Sequence, residues 1–307
     1  MAADNPVITK VYEPQGADIS ETRIREEMPE ILDILLADRM ASRSCRKKRN
    51  IIWANDNYIH HHKKHYAPGA EIRPALITGK MGHLIMPRAL KPAELQKERT
   101  KTRAEVFTPA WVVKKQNDEI EQSYLDDDLE TYIKRTWLEI TCGEAPYMAS
   151  RYDMATGKII PLAERAGFVD RKLQRINDGT KRNQKVWQRL VTLAYQASYG
   201  FEWNGDSLLL ARENLLYTCR DYYIAKWDRE IPYDFFKKIA RIISYNVFQM
   251  DGISLAPLSS IKFSTDSNIQ LEMFQQKSIP PQMVKHHVQI MNWKTRKWES
   301  LDLGAQL

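Results

Sequence analysis

Between residues 105 and 252 short apolar segments alternate with longer amphipathic ones, and this alternation restricts the fold more than any other feature of the chain. Trp137-Leu138-Glu139-Ile140, Tyr199 to Trp203 and Tyr245 to Met250 read as strands. Helical periodicity covers about Ala110 to Tyr124, much of 162–197, Asp206 to Tyr223 and Phe235 to Ile243. Strands separated by helices pair in parallel, because a parallel crossover is too long for a tight turn. The expected fold class is therefore α/β.

A doubly wound parallel sheet binds ligands outside the carboxyl ends of its strands. Here those ends read Thr141-Cys142-Gly143-Glu144, then Phe201-Glu202-Trp203-Asn204, then Gln249-Met250-Asp251-Gly252. A nucleotide-like cofactor needs three things at such ends. A turn of small residues lets the backbone come close. An acid accepts the ribose hydroxyls. A polar residue reaches the adenine amine. The three strand ends supply these in that order.

The segment Ala104-Glu105-Val106-Phe107-Thr108-Pro109-Ala110-Trp111-Val112-Val113 resembles the motif that opens the cofactor domain of DNA adenine-N6 methyltransferases. Leu138-Glu139-Ile140-Thr141-Cys142-Gly143-Glu144-Ala145-Pro146-Tyr147 resembles that family's cofactor loop. Tyr199-Gly200-Phe201-Glu202 with Leu208 to Leu216 is similar to its ribose-binding stretch, and Val247 to Gly252 to its adenine-contacting strand. The whole also resembles modification (M) subunits of restriction-modification systems. The resemblance covers about residues 100 to 255. It implies a Rossmann-like S-adenosylmethionine-dependent methyltransferase core over 101–260, with an insertion at about 151–195. An N-terminal basic α+β extension (1–100) and a C-terminal closing segment (261–307) would flank it. By the same resemblance Phe107, Thr108 and Pro109 hold the methionine end of S-adenosylmethionine. Thr141, Gly143 and Glu144 form the loop, Glu202 accepts the ribose hydroxyls and Asp251 meets the adenine. Two positions depart from the pattern. Ile140 replaces a proline, and Ala145-Pro146 replaces the second glycine.

Transfer of a methyl group to an exocyclic amine needs a further [DNS]-P-P-[YFW] motif, whose aromatic stacks on the flipped base. No good copy is present. Ser278-Ile279-Pro280-Pro281-Gln282 lacks both the polar acceptor and the aromatic, and Asn55-Asp56-Asn57-Tyr58 lacks both prolines. Asn55 and Tyr58 are the catalytic candidates by spacing alone. The expected function is therefore a subunit of a DNA methyltransferase whose partner supplies the catalytic motif and target recognition. The alternative is a nucleic-acid-binding or interaction protein on a degenerate methyltransferase fold.

The extension carries most of the remaining signals. Glu26 to Met40 reads as one helix with Pro29 in a first turn, after a loose start over 1–25. Ile51-Ile52-Trp53 reads as a buried strand, and 67–95 as irregular chain with short strands, followed by a charged helix near 93–101. The chain has net charge +7 and pI of about 9.1, which suits a polyanionic partner such as DNA. Arg43, Arg46, Lys47, Lys48 and Arg49 are the candidate nucleic-acid contacts. His60, His61, His62 and His65, with Lys63 and Lys64, form a second basic run. It has no nearby acid or cysteine, so it reads as a solvated face able to touch phosphate and not as a metal site. Cys45, Cys142 and Cys219 are widely spaced, so neither a disulfide framework nor zinc is expected. No apolar run approaches the ~20 residues of a membrane span, and the start lacks a signal-peptide pattern, so the expected location is the cytoplasm. Trp293 and Trp298 point to a closing strand or an interface.

Overall fold

A computed structural model describes residues 16–40, 48–103, 108–252, 255–258 and 288–300. The first two helices are α1 (Glu21–Glu27) and α2 (Pro29–Leu36). The single helix expected from Glu26 to Met40 is thus interrupted at Met28, where φ is −142°, and again after Leu36, before residues 39–40 turn helical. Pro29 causes the first break, because its ring disfavours helical conformation in the residue before it. The apolar stripe Ile31, Leu32, Leu35 and Leu36 is fully buried.

Residues 51–53 are buried as expected but do not form a strand. They make single bridges, Ile52 to Glu71 and, beside them, Asn50 to Ala37. Both backbone groups of Ile52 are taken by one side chain: its N–H donates to Gln249 Oε1 (2.9 Å) and its carbonyl accepts from Gln249 Nε2 (2.7 Å). The short strands expected within 67–95 are replaced by α3 (Pro74–Ile77) and two 3-10 turns, Gly79–Met81 and Arg88–Leu90. The β part of the expected α+β extension is therefore isolated bridges among the described residues.

Then come α4 (Ala93–Arg103), α5 (Ala110–Glu121) and α6 (Leu129–Lys134). Asp128 caps α6, accepting from the N–H groups of Glu130 (2.9 Å) and Thr131 (3.1 Å). The acidic stretch 126–128 is thus a helix start. The core follows as β1 (Trp137–Glu139), α7 (Phe168–Gly179), α8 (Gln184–Gln196), β2 (Ser198–Glu202), α9 (Gly205–Trp227), α10 (Tyr233–Asn246) and β3 (Val247–Gln249). The strands form a parallel sheet in the order β1-β2-β3, with Leu138 opposite Tyr199 and Phe201 opposite Phe248. The chain is α/β, as the alternation required.

Successive residues of a strand point to opposite faces. One face carries Trp137, Ser198, Gly200 and Val247 toward the helices. Trp137 stacks on Phe168 of α7 at 5.0 Å, and Lys172 of α7 reaches Ser198 Oγ (3.3 Å). The other face carries Leu138, Phe201 and Phe248. It is covered by the antiparallel hairpin β4 (Gln289–Asn292) and β5 (Lys297–Ser300), through Ile290 and Trp298. Trp293 Nε1 donates to Asn246 Oδ1 (2.8 Å), which ties the hairpin to the end of α10. The C-terminal tryptophans thus belong to a closing hairpin.

At the centre lies α9, buried on every side from Gly205 to Arg220. A helix surrounded by protein has no solvent face, so its polar residues must find partners inside. Arg212 and Asn214 do so through carbonyls of other elements. Its first residue sits directly beneath the 51–53 segment. A Cβ built on Gly205 would lie 2.1 Å from the Ile52 carbonyl oxygen and 2.8 Å from Ile72 Cδ1. Gly205→Ala, which would help an ordinary helix by up to ~1 kcal/mol, is here expected to cost about 1–3 kcal/mol through overpacking. Urea denaturation of the variant checks this, and a stabilised variant would refute the tight contact.

Candidate functional site

The loop after β1 is built from left-handed residues. Thr141 (φ 48°), Gly143 (φ 55°) and Ala145 (φ 61°) alternate with residues that are not. For a β-branched residue such as Thr141 this conformation is a genuine outlier. It costs of order 1–3 kcal/mol and persists only where surrounding contacts impose it. Ala145 stands where the resemblance expects a glycine, and its backbone adopts the conformation a glycine takes freely.

Several carboxylates impose this shape. Glu139, at the end of β1, accepts from the N–H groups of Tyr147 (3.2 Å) and Met148 (2.9 Å). Burial lifts its carboxyl to about 8, against the pull of those two donors. Glu144 is buried and turned inward, accepting from the Arg88 N–H (2.8 Å) and the Tyr152 hydroxyl (2.6 Å). Burial raises it too, opposed by the same two donors. Cys142 is buried, and burial pushes its thiol well above the usual range. A nucleophilic role needs the opposite shift.

Glu202 ends β2 and joins the loop to the sheet. It accepts from the Gly143 N–H (2.9 Å) and from both the N–H (2.9 Å) and side-chain amide (3.1 Å) of Asn204. Burial raises its carboxyl, and these donors pull it back. The Met250 N–H then donates to the Glu202 carbonyl (3.3 Å), so the end of β3 lies alongside. Asp251 is buried, with its N–H on the Ala256 carbonyl (3.0 Å). A Cβ on Gly252 would meet Phe201 at 2.9 Å and Thr141 Cγ2 at 3.9 Å. Thr141, Gly143, Glu202 and Asp251 are thus brought to one edge of the sheet.

Thr108 and Pro109 reach the same loop indirectly. Pro109 occupies the N-cap of α5, and no side chain of its own caps the helix. Instead Asp153 Oδ2 accepts from the Ala110 N–H (3.0 Å), next to Tyr152, which holds Glu144. Asn117 of α5 donates to the carbonyls of Tyr147 (3.1 Å) and Ala166 (2.9 Å), docking the helix on the loop. Phe107 lies outside the described residues.

Asn55 and Tyr58 are also at this edge, both turned to Asp206 in the first turn of α9. The Tyr58 hydroxyl donates to Asp206 Oδ2 (2.8 Å) and the Asn55 amide to Asp206 Oδ1 (3.1 Å). Arg99 approaches Asp206 Oδ2 at 3.5 Å. The carboxyl is held below its usual range despite its burial, by Lys91, then Arg99 and Tyr58. Trp203 Nε1 donates to the Ala54 carbonyl (2.8 Å). The 51–58 segment therefore closes over the ends of β2 and β3.

No family model, curated protein or solved structure matches this chain.

Of the nucleic-acid candidates, Lys48 is exposed and Arg49 pairs with Glu71, while Arg43, Arg46 and Lys47 lie outside the described residues. The Ser278–Gln282 segment does so as well. A cavity of about 570 Å³ lies elsewhere, between the sheet and the hairpin, lined by Leu138, Tyr199, Phe248, Ile290 and Trp293. Leu138, Tyr199 and Phe248 belong to the motif segments, but none of Thr108, Pro109, Thr141, Gly143, Glu144, Glu202 and Asp251 borders it, and the strand-end site rests on backbone shape and carboxylate placement instead. No group of His, Cys, Asp and Glu able to hold a metal occurs among the described residues, and none of their helices is long and apolar enough to cross a membrane.

Sequence reasoning missed Glu139, Asp206, Tyr152, Asp153 and Gln249. Asp206 carries a usable signal, an acid in the first turn of a helix, where the macrodipole favours negative charge. Tyr152 and Asp153 lie in the stretch read as an insertion and carry no motif.

Proposed function

We propose that this chain is the S-adenosylmethionine-binding subunit of a DNA adenine-N6 methyltransferase of a restriction-modification system, on a Rossmann-like core. A partner chain would supply the catalytic motif and target recognition. One observation carries the reading: the left-handed loop Thr141-Gly143-Ala145 is bonded through the Gly143 N–H to Glu202, the acid at the end of the next parallel strand. A loop of this shape lets a ligand approach the backbone, and the neighbouring carboxylate is the group a ribose needs. Glu202 uses three of the roughly four acceptor positions of a carboxylate. Ribose hydroxyls would take the remaining one and displace Asn204. Asp251 would receive the adenine amine, and Thr108 and Pro109 would flank the methionine end. The bound cofactor would supply the methyl group, and this chain's part is to bind and orient it.

Calorimetric titration of S-adenosylmethionine into the protein tests this. Binding is expected, with Glu202→Ala and Asp251→Ala each weakening it at least tenfold. Absence of binding, or binding indifferent to both changes, would refute the assignment. That result would favour a second reading, a methyltransferase-like fold that contacts nucleic acid without the cofactor. The burial of Glu202 and Glu144, each already held by donors of the protein, is the observation behind it.

A further inference from the structure

Residues 60 to 65, His-His-His-Lys-Lys-His, are all exposed, and the run contains no acid. None of the six forms an ion pair with a carboxylate among the described residues. Lys63 and Lys64 are adjacent cations without a carboxylate counter-charge, and an anion placed against both offsets their mutual repulsion. The turn is nevertheless ordered by its base. Tyr58 and Tyr66, just outside its two ends, are buried and lie against Trp53 at 4.8 and 5.2 Å. Trp53 Nε1 donates to the His65 carbonyl (3.1 Å), and the Tyr66 N–H donates to the His62 carbonyl (3.0 Å). The exposed turn with its two lysines therefore stands on an aromatic platform that holds its backbone in place.

The same platform touches the candidate site, because Tyr58 bonds Asp206 at the start of α9. The turn is thus joined through Tyr58 to the start of α9, the helix that follows Glu202.

We propose that the His60–His65 turn is a docking surface for the phosphate backbone of duplex DNA. The inference deepens the methyltransferase reading and rests on it for the identity of the polyanion. Cationic side chains on an ordered turn match phosphate oxygens by charge, and such contacts position a duplex without reading its sequence. Imidazoles that take a proton in mild acid would add to the charge of the two lysines, and His61 does so against burial and against His60 and His83, which hold it below the usual imidazole range. His61 faces His60, His83 and the Tyr66 ring, while His62 faces His65. No carboxylate lies among these neighbours to hold the proton in place of a phosphate.

The test is fluorescence anisotropy of a labelled duplex with the full chain at pH 6 and pH 8, over a range of salt. The double change Lys63→Gln and Lys64→Gln should weaken binding about tenfold at either pH and reduce the log–log salt slope by about 2, near 0.9 per lost phosphate contact. Changing His60, His61, His62 and His65 to Gln should leave binding at pH 8 nearly intact and abolish the gain at pH 6. Wild-type affinities and salt slopes in both variants would overturn the proposal, as would absence of binding by the wild type. Tighter capture by phosphatidylserine vesicles than by duplex at equal phosphate would overturn the assignment to DNA. Calorimetry of S-adenosylmethionine on the same variants reads the cofactor site separately, so failure of the turn and failure of the methyltransferase reading are distinguishable.

Discussion

Arg212→Leu is expected to lower the stability of the folded chain by about 3–5 kcal/mol, since each orphaned buried acceptor costs ~1–3 kcal/mol. Arg212 is completely buried in the middle of α9. Its Nε donates to the Val247 carbonyl (2.8 Å), its Nη1 to the carbonyls of Ala37 (3.1 Å) and Leu35, and its Nη2 to that of Ser244 (3.5 Å). One guanidinium thus satisfies the end of α2, the last turn of α10 and the first residue of β3. The five donors of arginine in a fixed fork make this possible, and no other side chain spreads donors so widely. Leucine leaves these carbonyls buried without partners, whereas Arg212→Lys keeps the charge and fewer of the bonds. Urea unfolding followed by circular dichroism should therefore rank wild type above Arg212→Lys above Arg212→Leu. A loss below ~1 kcal/mol for Arg212→Leu would mean that the three elements find each other without it.

A second large effect is expected to have the opposite sign. Glu213 neighbours Arg212 on α9 and is fully buried, and neither carboxylate oxygen has a hydrogen-bond partner among the described residues. Burial raises its carboxyl well above the ordinary range, and Glu21 and Asp18 push it further, against Arg151. Glu21, buried on α1, is raised for the same first reason and by Asp18. Both acids hold a proton more tightly in the folded chain than in the unfolded one. The stability they allow is therefore fully present below the unfolded carboxylate value, ~4.3. It is lost as pH rises through their raised folded values. Glu213→Gln keeps the shape and removes the titration. The variant should match the wild type near pH 4 and exceed it at pH 8 by on the order of 1–3 kcal/mol, the cost of an unpaired buried polar group. Melting temperatures from pH 4 to pH 8 would show this. Parallel curves for the two proteins would mean that the acids are not neutral in the fold.

Much of the core was legible because its signals are local. The three parallel strands and the helices between them follow from runs of apolar residues and from helical spacing, and both are properties of neighbours in the chain. The break before Pro29 belongs to the same class, since one ring decides it. The candidate site was legible as an order of strand ends, small turn, acid, acid. It was not legible as a geometry.

What the sequence by itself determined, then, is the alternation of elements, the residues at the strand ends and the unbroken basic turn at 60–65. Only the tertiary structure decided that Ala145 takes a glycine's backbone conformation, because Glu139, Glu144 and Glu202 hold the surrounding loop by its N–H groups and side chains. It decided that Ile52 joins no strand, because Gln249, 197 positions away, takes both of its backbone groups. It also decided that Asn55 and Tyr58 converge on Asp206, and that a hairpin covers the second face of the sheet. The physical reason is common to all of these. A hydrogen bond from a side chain to a distant backbone leaves no period in the sequence, and its partner is chosen only when packing brings the two elements together.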